Sequence, residues 1–545
     1  MTVIDFFCGA GGFSEGFRQA GFNVIMGLDN WQPAVTTHNA NHNLHDKKWD
    51  ISAIETPQAI EQIPDSDIII GSPPCVSFSL SNKGGNADKT LGKKLIRNFL
   101  RIVAVKKFKP NSQLKAWAME NVPNSKNFVK PTYSFSDLNL SSWAKANNYD
   151  PSQIAITVNG EVLNAENYGC AQRRKRFICG EICKTGDSLK PQPTDSRLTV
   201  SDIQQALGSP LGDKKDKITD PNNKALSITY NELHDHHYDT GVYAVEWEKA
   251  QHLKQDHPYM GTMFFPEKLD KPSRTIMATK SASTREAILY ESDLHQDTAD
   301  GRYRTPTIRE AASIMGFPIN YQFWGDESTK WRQVGNAVCV PLAKALGQAI
   351  LKQLPYRQSS PVQQEHDFTD FTYLDNPHEK IFNNPPQRNA NALFREHPVK
   401  SGNMTIDLTN RALDGKSRWC VIAFVGTGEG YGRFELGADT LASARSVLEQ
   451  LEPNFLEMIQ ADNYIHYYNS SFLDKKNEEY DFDCSNPEHP FSLVKRIGKI
   501  AQTSSEKPGI VIDDLPKDLS LIKTKMPLNQ IMSIFGLLTL ISPES

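Results

Sequence analysis

The chain lacks several features that would place it in a class at once. Its 545 residues contain eight cysteines and no CxxC pair, so the sequence indicates neither a zinc ribbon nor a disulfide framework. No apolar run is long enough to cross a bilayer, and the first residues lack the basic region of a secretory signal. We therefore expect a cytoplasmic protein without a membrane partner.

Neither the net charge nor any repeat identifies the class of protein. The net charge of −4 neither indicates nor forbids a nucleic-acid partner, and we find no internal repeat that would predict a solenoid. Apolar residues at 39% and charged residues at 23% are typical of a soluble globular protein. At this length two or three domains are expected.

What the sequence does contain is an alternation of strand-like and helix-like segments over its first 180 residues. "TVIDFF", "NVIMGLD", "DIIIGSP" and "AWAMENV" are strand-like, with amphipathic segments between them. This order predicts a doubly wound α/β sheet. A less regular stretch, a returning regular stretch, a Ser/Gln/Pro-rich linker and a separate C-terminal α+β domain follow. The predicted boundaries are 1–183, 184–271, 272–355, 356–366 and 367–545.

The third strand-like segment leads straight into a cysteine. Residues 68–70 are three isoleucines, and Pro73, Pro74 and Cys75 follow shortly after them. A free cysteine is usually a small buried hydrophobe, and composition alone favours that interpretation. This cysteine, however, follows the end of a predicted strand, where the two prolines restrict the backbone that carries it. Cys75 is therefore a candidate reactive thiol.

A glycine-rich turn follows the first strand, in "DFFCGAGGFSEGF". Gly9, Gly11 and Gly12 would let backbone amides approach a ligand closely, although a tight structural turn is nearly as good an interpretation. Asp29 follows the second strand, where an acidic residue commonly binds ribose hydroxyls. Its neighbour Trp31 would either stack on a purine or pack in the core.

One more acidic residue belongs with this group. Asp50, in "WDIS", ends another short run and would accept a hydrogen bond from an exocyclic amine. The glycine spacing does not match the GxGxxG pattern of dinucleotide sites. Together these residues indicate an adenosine-containing cofactor that needs no phosphate cradle.

Two further motifs place polar side chains beside predicted strands. Glu120, in "AMENVPN", follows a strand-like run and so lies at the carboxyl edge, where open α/β sheets bind ligands. In "AQRRKRFICGEI", Gln172, Arg174 and Arg176 alternate and would share one face of a strand. That face would offer donors to a base edge or a phosphate. A solvated basic edge is the alternative.

Taken in order, these blocks resemble the DNA (cytosine-5)-methyltransferases of bacterial restriction-modification systems. The resemblance covers residues 1 to about 354 and rests on "FCGAGGFS", "PPCVSFS", "ENV", "QRRKR", "RTPTIREAASIMGFP" and "RQVGNAV" in that order. Several blocks in the right order over this length make the match specific. It implies a fold that binds S-adenosylmethionine and a DNA target-recognition segment within residues 184–271.

The resemblance also implies roles for individual residues. Cys75 would add to C6 of a cytosine flipped out of the duplex, which turns C5 into a nucleophile, and a loop over residues 79–90 would close over that base. Glu120 would bind the ring N3 and the exocyclic amine, while Arg174 and Arg176 would hold the base oxygen and nearby backbone. The residues implied for cofactor binding are Phe6, Gly9, Gly11, Gly12, Asp29, Trp31, Asp50 and Asn336.

The implied function is methylation of cytosine C5 within a double-stranded DNA sequence, which would protect host DNA from a cognate restriction endonuclease. A bifunctional methyltransferase-endonuclease stays open, although residues 367–545 show no convincing carboxylate–lysine cluster. An RNA cytosine-5 methyltransferase generally lacks a target segment and a long C-terminal extension. An inactive homologue would be expected to lose Cys75, Glu120 or Arg176, and all three are present.

Three remaining patterns favour structural interpretations. The histidines of "THNANHNLHD" and "HDHH" lack supporting cysteines or carboxylates, so we predict no metal site. "GTGEGYG", residues 426–432, lies between strand-like segments and predicts a glycine-rich hairpin. The seven basic residues between Lys93 and Lys109 are typical of a solvated helix face.

Overall fold

The protein is described by a computed structural model. It covers residues 1–74, 88–212, 215–255, 262–292, 295, 297–354, 368–374, 380–384, 386, 393–426, 431–461 and 490–541. The strands are β1 (Thr2–Phe6), β2 (Asn23–Leu28), β3 (Ile68–Gly71), β4 (Ala116–Asn121), β5 (Thr132–Ser134), β6 (Ile154–Thr157), β7 (Gly160–Asn164), β8 (Lys175–Ile182), β9 (Ile218–Thr219), β10 (Ser227–Ile228), β11 (Tyr290–Glu291), β12 (Tyr303–Arg304), β13 (Arg395–Glu396), β14 (Lys400–Ser401), β15 (Met404–Arg411), β16 (Ser417–Val425), β17 (Gly432–Leu436), β18 (Val511–Ile512) and β19 (Met526–Pro527).

The helices follow the same chain order. They are α1 (Gly12–Gln19), α2 (Gln32–His42), α3 (Pro57–Glu61), α4 (Thr90–Phe108), α5 (Ser141–Ala146), α6 (Val200–Leu207), α7 (Ala244–Gln255), α8 (Ile308–Ile314), α9 (Glu327–Asn336), α10 (Val340–Gln353), α11 (Ala438–Leu451), α12 (Pro453–Gln460), α13 (Pro490–Thr503), α14 (Lys517–Ser520) and α15 (Leu528–Ile541).

The chain divides into two compact units, and neither is a single continuous stretch. The first comprises Met1–Val242, Pro266–Ala282 and Glu286–Ile381, and the second comprises Tyr243–Phe265, Ser283–Arg285 and Phe382–Ser545. Residues 243–265, expected within the recognition segment, therefore fold with the C-terminal residues. Residues 368–381, expected in the C-terminal domain, fold with the first unit.

The first unit is built on a six-stranded sheet in the order β2-β1-β3-β4-β8-β7. Strands β1 to β4 are parallel to one another, whereas β8 runs antiparallel to both β4 and β7. The chain moves from β1 to β2 on one side and then returns to β3 on the other side. The carboxyl ends of β1 and β3 therefore flank a topological switch point, where open α/β sheets bind ligands.

The alternation of side chains along β3 shows why helices cover both faces of this sheet. Ile68 and Ile70 lie in the core cluster that contains Phe13 of α1, while Ile69 lies in the opposite cluster with Phe99 of α4. Successive strand residues point to opposite faces, so three isoleucines in a row require two apolar layers. The predicted doubly wound α/β fold is confirmed.

Residues 368–374 dock onto the first unit through a fully buried ion pair. The Lys330 ammonium lies 2.6 Å from an Asp235 carboxylate oxygen, and both side chains are inaccessible to solvent. Asp235 also accepts a hydrogen bond from the Leu374 amide at 3.1 Å, and Lys330 donates to the Thr372 carbonyl. Because a buried charge needs partners, this docking segment completes the first unit.

Helices α9 and α10 form a mostly buried pair. The stretch Glu327–Gln353 is apolar enough to cross a membrane by length and composition, but 67% of its most apolar window is buried in the structure. Burial of this kind is typical of helices in the core of a soluble domain.

The second unit contains an antiparallel sheet in the order β13-β15-β16-β17, with β14 also paired to β15. Alternate residues of β15, including Ile406 and Leu408, share a core cluster with α11, α13 and α15. Strands β16 and β17, which flank the hairpin predicted at residues 426–432, are antiparallel neighbours, whereas residues 427–430 of the predicted turn lie outside the described residues. The predicted C-terminal α+β domain is therefore present.

Candidate active site

Two hydrogen bonds tie together the segments that leave the carboxyl ends of β1, β3 and β4. The Ser72 amide donates to the Phe6 carbonyl at 3.0 Å. The Asn121 side-chain amide donates to the Pro73 carbonyl, also at 3.0 Å. The chain after β3 is therefore held against both of its neighbours at the point where it leads to Cys75.

Cys75 itself lies outside the described residues, as do residues 76–87 of the expected closing loop. Pro73 is two residues earlier, which limits the distance between the Pro73 and Cys75 Cα atoms to about 7 Å. The described part of β3 ends at the sheet edge that contains Asn121. The strand end thus lies where the sequence predicts, and the role of the thiol stays a prediction.

Glu120 and Arg176 form a buried pair beside this strand end. Strand β8 runs antiparallel to β4, with Asn121 opposite Phe177, so the first residues of β8 lie next to the last residues of β4. The Arg176 Nε lies 2.8 Å from a Glu120 carboxylate oxygen. Burial raises the pKa of Glu120, and the charges of Arg176 and Arg174 only partly oppose this. A carboxyl with a raised pKa is suited to holding a proton near neutral pH.

Arg174 is held by other contacts than Arg176. Its guanidinium donates to the carbonyls of Ile276 at 3.0 Å, Gly335 at 2.9 Å and Ala337 at 3.1 Å. The side chain is buried, and these bonds join segments more than a hundred residues away. Arg174 therefore holds the backbone of these distant segments, and its expected contact with the base stays a prediction.

Two of the hydrogen bonds from Arg174 hold the backbone on either side of Asn336. Gly335 and Ala337 flank Asn336, and their carbonyls accept from one guanidinium nitrogen. Asn336 is exposed at the end of α9. Its expected contact with the cofactor stays a prediction, and Arg174 is the residue that fixes its backbone.

The loop after β1 is joined to the acidic residue after β2. The Gly9 amide donates to one carboxylate oxygen of Asp29 at 3.0 Å, and the other oxygen accepts from the Trp31 amide at 2.9 Å. Burial raises the pKa of Asp29. Phe7, with φ of 58°, is a non-glycine residue in the left-handed region, where backbone strain is common at ligand sites.

The three glycines of this loop have different surroundings. A Cβ placed on Gly9 would meet no atom within 4 Å, whereas one on Gly11 would lie 2.5 Å from the Tyr321 hydroxyl oxygen. A Cβ on Gly12 would lie 2.3 Å from the Val338 carbonyl oxygen. Only Gly9 therefore presents its backbone to open space, while Gly11 and Gly12 are needed for packing.

The other residues expected to bind a cofactor differ in burial and in their contacts. The Phe6 side chain is fully buried and packs edge-on against Phe99, so it supports the loop from the core. One face of the Trp31 ring is covered by the Arg332 guanidinium, 4.5 Å from its centroid. Asp50 is exposed and accepts from the Ser52 amide at 2.9 Å.

A buried polar chain under the glycine loop was not predicted from the sequence. The Ser14 hydroxyl donates to Asp5 at 2.7 Å and lies 2.9 Å from the His38 Nε2. The Tyr321 hydroxyl donates to the Ala10 carbonyl. Burial raises the pKa of Asp5 to about 8 and lowers that of His38 well below its usual value. The spacing of the histidines was the only signal in the sequence, and it favoured a structural role for them without indicating these partners.

These observations fit a bound adenosine cofactor at the switch point. The Gly9 backbone is accessible there, the buried Asp29 carboxylate lies beside it, and Trp31 follows directly. Asp29, Trp31 and Gly9 are the described residues that would hold it. In the described ranges, no group of three or more His, Cys, Asp or Glu residues is arranged to hold a metal ion.

Cys8 and Cys170 are poor alternatives to Cys75 as the nucleophile. Cys8 and Cys170 are buried, and burial raises the pKa of each thiol well above its usual value. The Cys170 Sγ donates to the Ile314 carbonyl at 3.1 Å. A thiol with a raised pKa holds little thiolate at neutral pH, so neither residue is suited to attack a base.

Comparison with known proteins identifies the family. A family model described as C-5 cytosine-specific DNA methylase matches residues 1–352. The chain belongs to this family. It is therefore a DNA (cytosine-5)-methyltransferase, as the order of the sequence blocks predicts.

Individual relatives match the same part of this methyltransferase. The type II methyltransferase M.MthTI of Methanothermobacter thermautotrophicus is 28% identical over 365 residues, which are 65% of this chain and 98% of the relative. M.HgiDI of Herpetosiphon aurantiacus is 27% identical over 370 residues, with 66% and 98% covered. A solved methyltransferase of Entamoeba histolytica matches 65% of this chain and 99% of its own at 14% identity, with a TM-score of 0.44. The matched region ends before the C-terminal residues of the second unit.

Proposed function

We propose that this methyltransferase transfers a methyl group from S-adenosylmethionine to C5 of a cytosine flipped out of double-stranded DNA, through a covalent bond between Cys75 and C6. The observation that carries the proposal is the buried Glu120–Arg176 pair, at 2.8 Å, beside the strand end that leads to Cys75. A carboxyl with a raised pKa, beside the strand end that leads to a candidate thiol, fits the needs of cytosine activation.

Each reacting group has a separate task in this mechanism. The Cys75 thiolate adds to C6, and the electrons of the C5–C6 double bond shift to form a C4–C5 double bond while N3 takes a proton. The ring is then an enamine whose C5 is nucleophilic. Protonated Glu120 donates to N3 and so stabilises the charge that the ring gains. After C5 is methylated, a base removes the C5 proton, the double bond re-forms and the thiolate leaves. Because the thiolate attacks perpendicular to the ring, the base must leave the stack.

The roles of the arginines follow from their contacts. Arg176 touches Glu120 and would hold both that carboxyl and the base oxygen, whereas Arg174 is a positioning residue for the backbone around Asn336. When bound, S-adenosylmethionine supplies the methyl group. Asp29 would accept from its ribose hydroxyls, and the Gly9 backbone would approach it closely.

The biological role we propose is that of the modification enzyme of a restriction-modification system. Relatives named type II methyltransferases, such as M.MthTI and M.HgiDI, support this over an RNA substrate. Double-stranded DNA is then the substrate, and a cognate restriction endonuclease would be the physiological counterpart. Residues 184–271 would choose the target sequence, since base-edge contacts carry specificity while phosphate contacts do not.

Methylation-sensitive sequencing of DNA from cells that express the protein tests this function. We expect C5-methylated cytosine at one recurring sequence, and none at that sequence in cells that express the Cys75→Ser protein. Methylation of RNA but not DNA, or of adenine, would contradict the proposal.

A further inference from the structure

Residues 243–265 of the expected recognition segment are not part of the first unit. The chain leaves the first unit after Val242, and Tyr243–Phe265 belong to the same compact unit as Phe382–Ser545. The stretch therefore shares a folded body with C-terminal residues that lie beyond the family match, which ends at residue 352.

A histidine on α7 makes the contacts that join this stretch to the C-terminal sheet and helices. The His252 Nε2 lies 2.8 Å from a carboxylate oxygen of Glu396 in β13, and that glutamate side chain is only 7% exposed. The His252 ring also meets the Phe491 ring of α13 edge-on, with the ring centroids 5.5 Å apart. Because a buried carboxylate without a partner is costly, the pair fixes α7 against the C-terminal residues.

A second contact lies before the start of α7. The Tyr243 ring meets the Phe382 ring edge-on, with centroids 5.1 Å apart. Along α7, Trp247, Ala250 and Lys254 are buried, and their spacing places them on one face of the helix. One face of α7 is thus used for packing, and both ends of the helix are attached.

The chain returns beside the helix that it has just left. The Met263 amide donates to the Lys254 carbonyl at 2.8 Å, and the Phe265 ring lies parallel to the Trp247 ring at 6.2 Å. The remaining side of α7 carries the exposed carboxylate of Glu248 together with the amides of Gln251, half-buried, and Gln255, exposed. These amides are four residues apart and so lie on neighbouring turns, and glutamine amides can read adenine edges in the major groove.

We propose that residues 382–545 are part of the target-recognition apparatus and hold α7 in the conformation that reads DNA. The proposal rests on the proposed function, in which residues 184–271 choose the target sequence. It gives the C-terminal region a role in specificity, with His252 and Glu396 as positioning residues. The choice of DNA sequence should then depend on a contact made by a residue outside the family match.

The test uses the full chain and two DNA duplexes. One duplex carries the sequence that the wild-type protein methylates, and the other differs from it by one base pair within that sequence. Equilibrium binding to both duplexes gives a discrimination ratio that does not depend on the active fraction of a preparation. We expect Glu396→Ala and His252→Ala each to lower this ratio by roughly tenfold or more, the scale of one lost base contact.

Matched variants separate this effect from general damage. The double variant should be no worse than either single variant, because both remove the same contact. Glu435→Ala, which breaks the surface pair with Arg418 in the same sheet, should leave the ratio unchanged. If Glu396→Ala does not fold, Phe382→Ala breaks the second attachment and should lower the ratio as well. Affinity for S-adenosylmethionine should stay at the wild-type value in every folded variant.

Two failures are distinguishable. A wild-type protein that methylates no DNA cytosine would contradict the proposed function as a whole. A wild-type protein with a clear target, whose folded His252→Ala and Phe382→Ala variants keep the full discrimination ratio, would overturn only the role of residues 382–545.

Discussion

Replacing glycines in the loop after β1 separates its packing function from its ligand function. Gly9 has φ of 53° and Gly11 has φ of 92°, so alanine at either position bears the cost of a left-handed backbone, about 1–2 kcal/mol. The surroundings of the two positions differ. A Cβ on Gly11 would lie 2.5 Å from the Tyr321 hydroxyl oxygen, and one on Gly9 would meet nothing within 4 Å.

The difference sets the expected magnitudes. Gly11→Ala adds an overpacking cost of about 1–3 kcal/mol, for a total of roughly 2–5 kcal/mol. Gly9→Ala should lower the free energy of unfolding only by the cost of the left-handed backbone, about 1–2 kcal/mol. Because its methyl group would enter the open space where we propose the cofactor binds, Gly9→Ala should weaken binding of S-adenosylmethionine by more than that stability loss accounts for.

Thermal unfolding of the free proteins and calorimetric titration with S-adenosylmethionine measure the two effects. Tyr321→Phe removes the nearest clashing atom, so the double variant with Gly11→Ala should be less destabilised than the sum of the single variants. The Tyr321→Phe protein alone controls for loss of the bond to the Ala10 carbonyl. Equal destabilisation by Gly9→Ala and Gly11→Ala would refute this reasoning.

Three further outcomes follow from buried charges. Glu120→Gln should lower kcat by about 10²-fold or more and abolish the alkaline decline of the pH–kcat profile, because the raised pKa makes the wild-type carboxyl lose its proton only as pH rises. A retained decline in steady-state kinetics would contradict this. Asp5, with a pKa of about 8, binds a proton only in the folded state between about pH 5 and pH 8, so wild-type stability should fall there by about 1.4 kcal/mol per pH unit. Asp5→Asn should remove that slope in denaturant unfolding, and an unchanged slope would assign it to another group. A chain ending at Leu354 lacks the residues that dock onto Lys330, so its thermal midpoint should lie below that of a chain ending at Ile381; equal midpoints would show that the docking segment adds no stability.

The parts of the fold that could be predicted are those governed by local periodicity. Three successive isoleucines in β3 required apolar layers on both faces, and the structure has them. The alternation of Gln172, Arg174 and Arg176 predicted that they share a face, and the residues between them are exposed while Gln172 and Arg174 are buried. Such patterns reflect the two-residue repeat of a strand, which acts within a few residues.

The roles of individual site residues were harder to predict because their partners are distant in sequence. The carbonyls that Arg174 reaches belong to Ile276, Gly335 and Ala337, and no local pattern announces them. Tyr321 likewise reaches a carbonyl at Ala10, 311 residues earlier. Long-range side-chain bonds of this kind depend on the completed fold, so sequence blocks locate the site without assigning each side chain.

The division of the recognition segment could not be predicted for a related reason. The composition changes near residue 184 and again near residue 271, and these two changes bound a stretch without regular helix or strand patterns. Nothing local indicates that Tyr243–Phe265 would pack with residues more than a hundred positions later, through His252 and Glu396.

The most direct test of the central claim is covalent trapping on DNA that carries 5-fluorocytosine at the methylated position. If Cys75 adds to C6, fluorine at C5 cannot leave as a proton does, so the adduct should persist and migrate as a protein–DNA complex under denaturing conditions. Its formation should require S-adenosylmethionine, and proteolysis should place the DNA on the peptide that contains Cys75. The Cys75→Ser protein should bind the duplex without forming the adduct, because a serine hydroxyl is far less ionised than a thiol. A stable adduct on the Cys75→Ser protein, or normal methylation by it, would contradict the account.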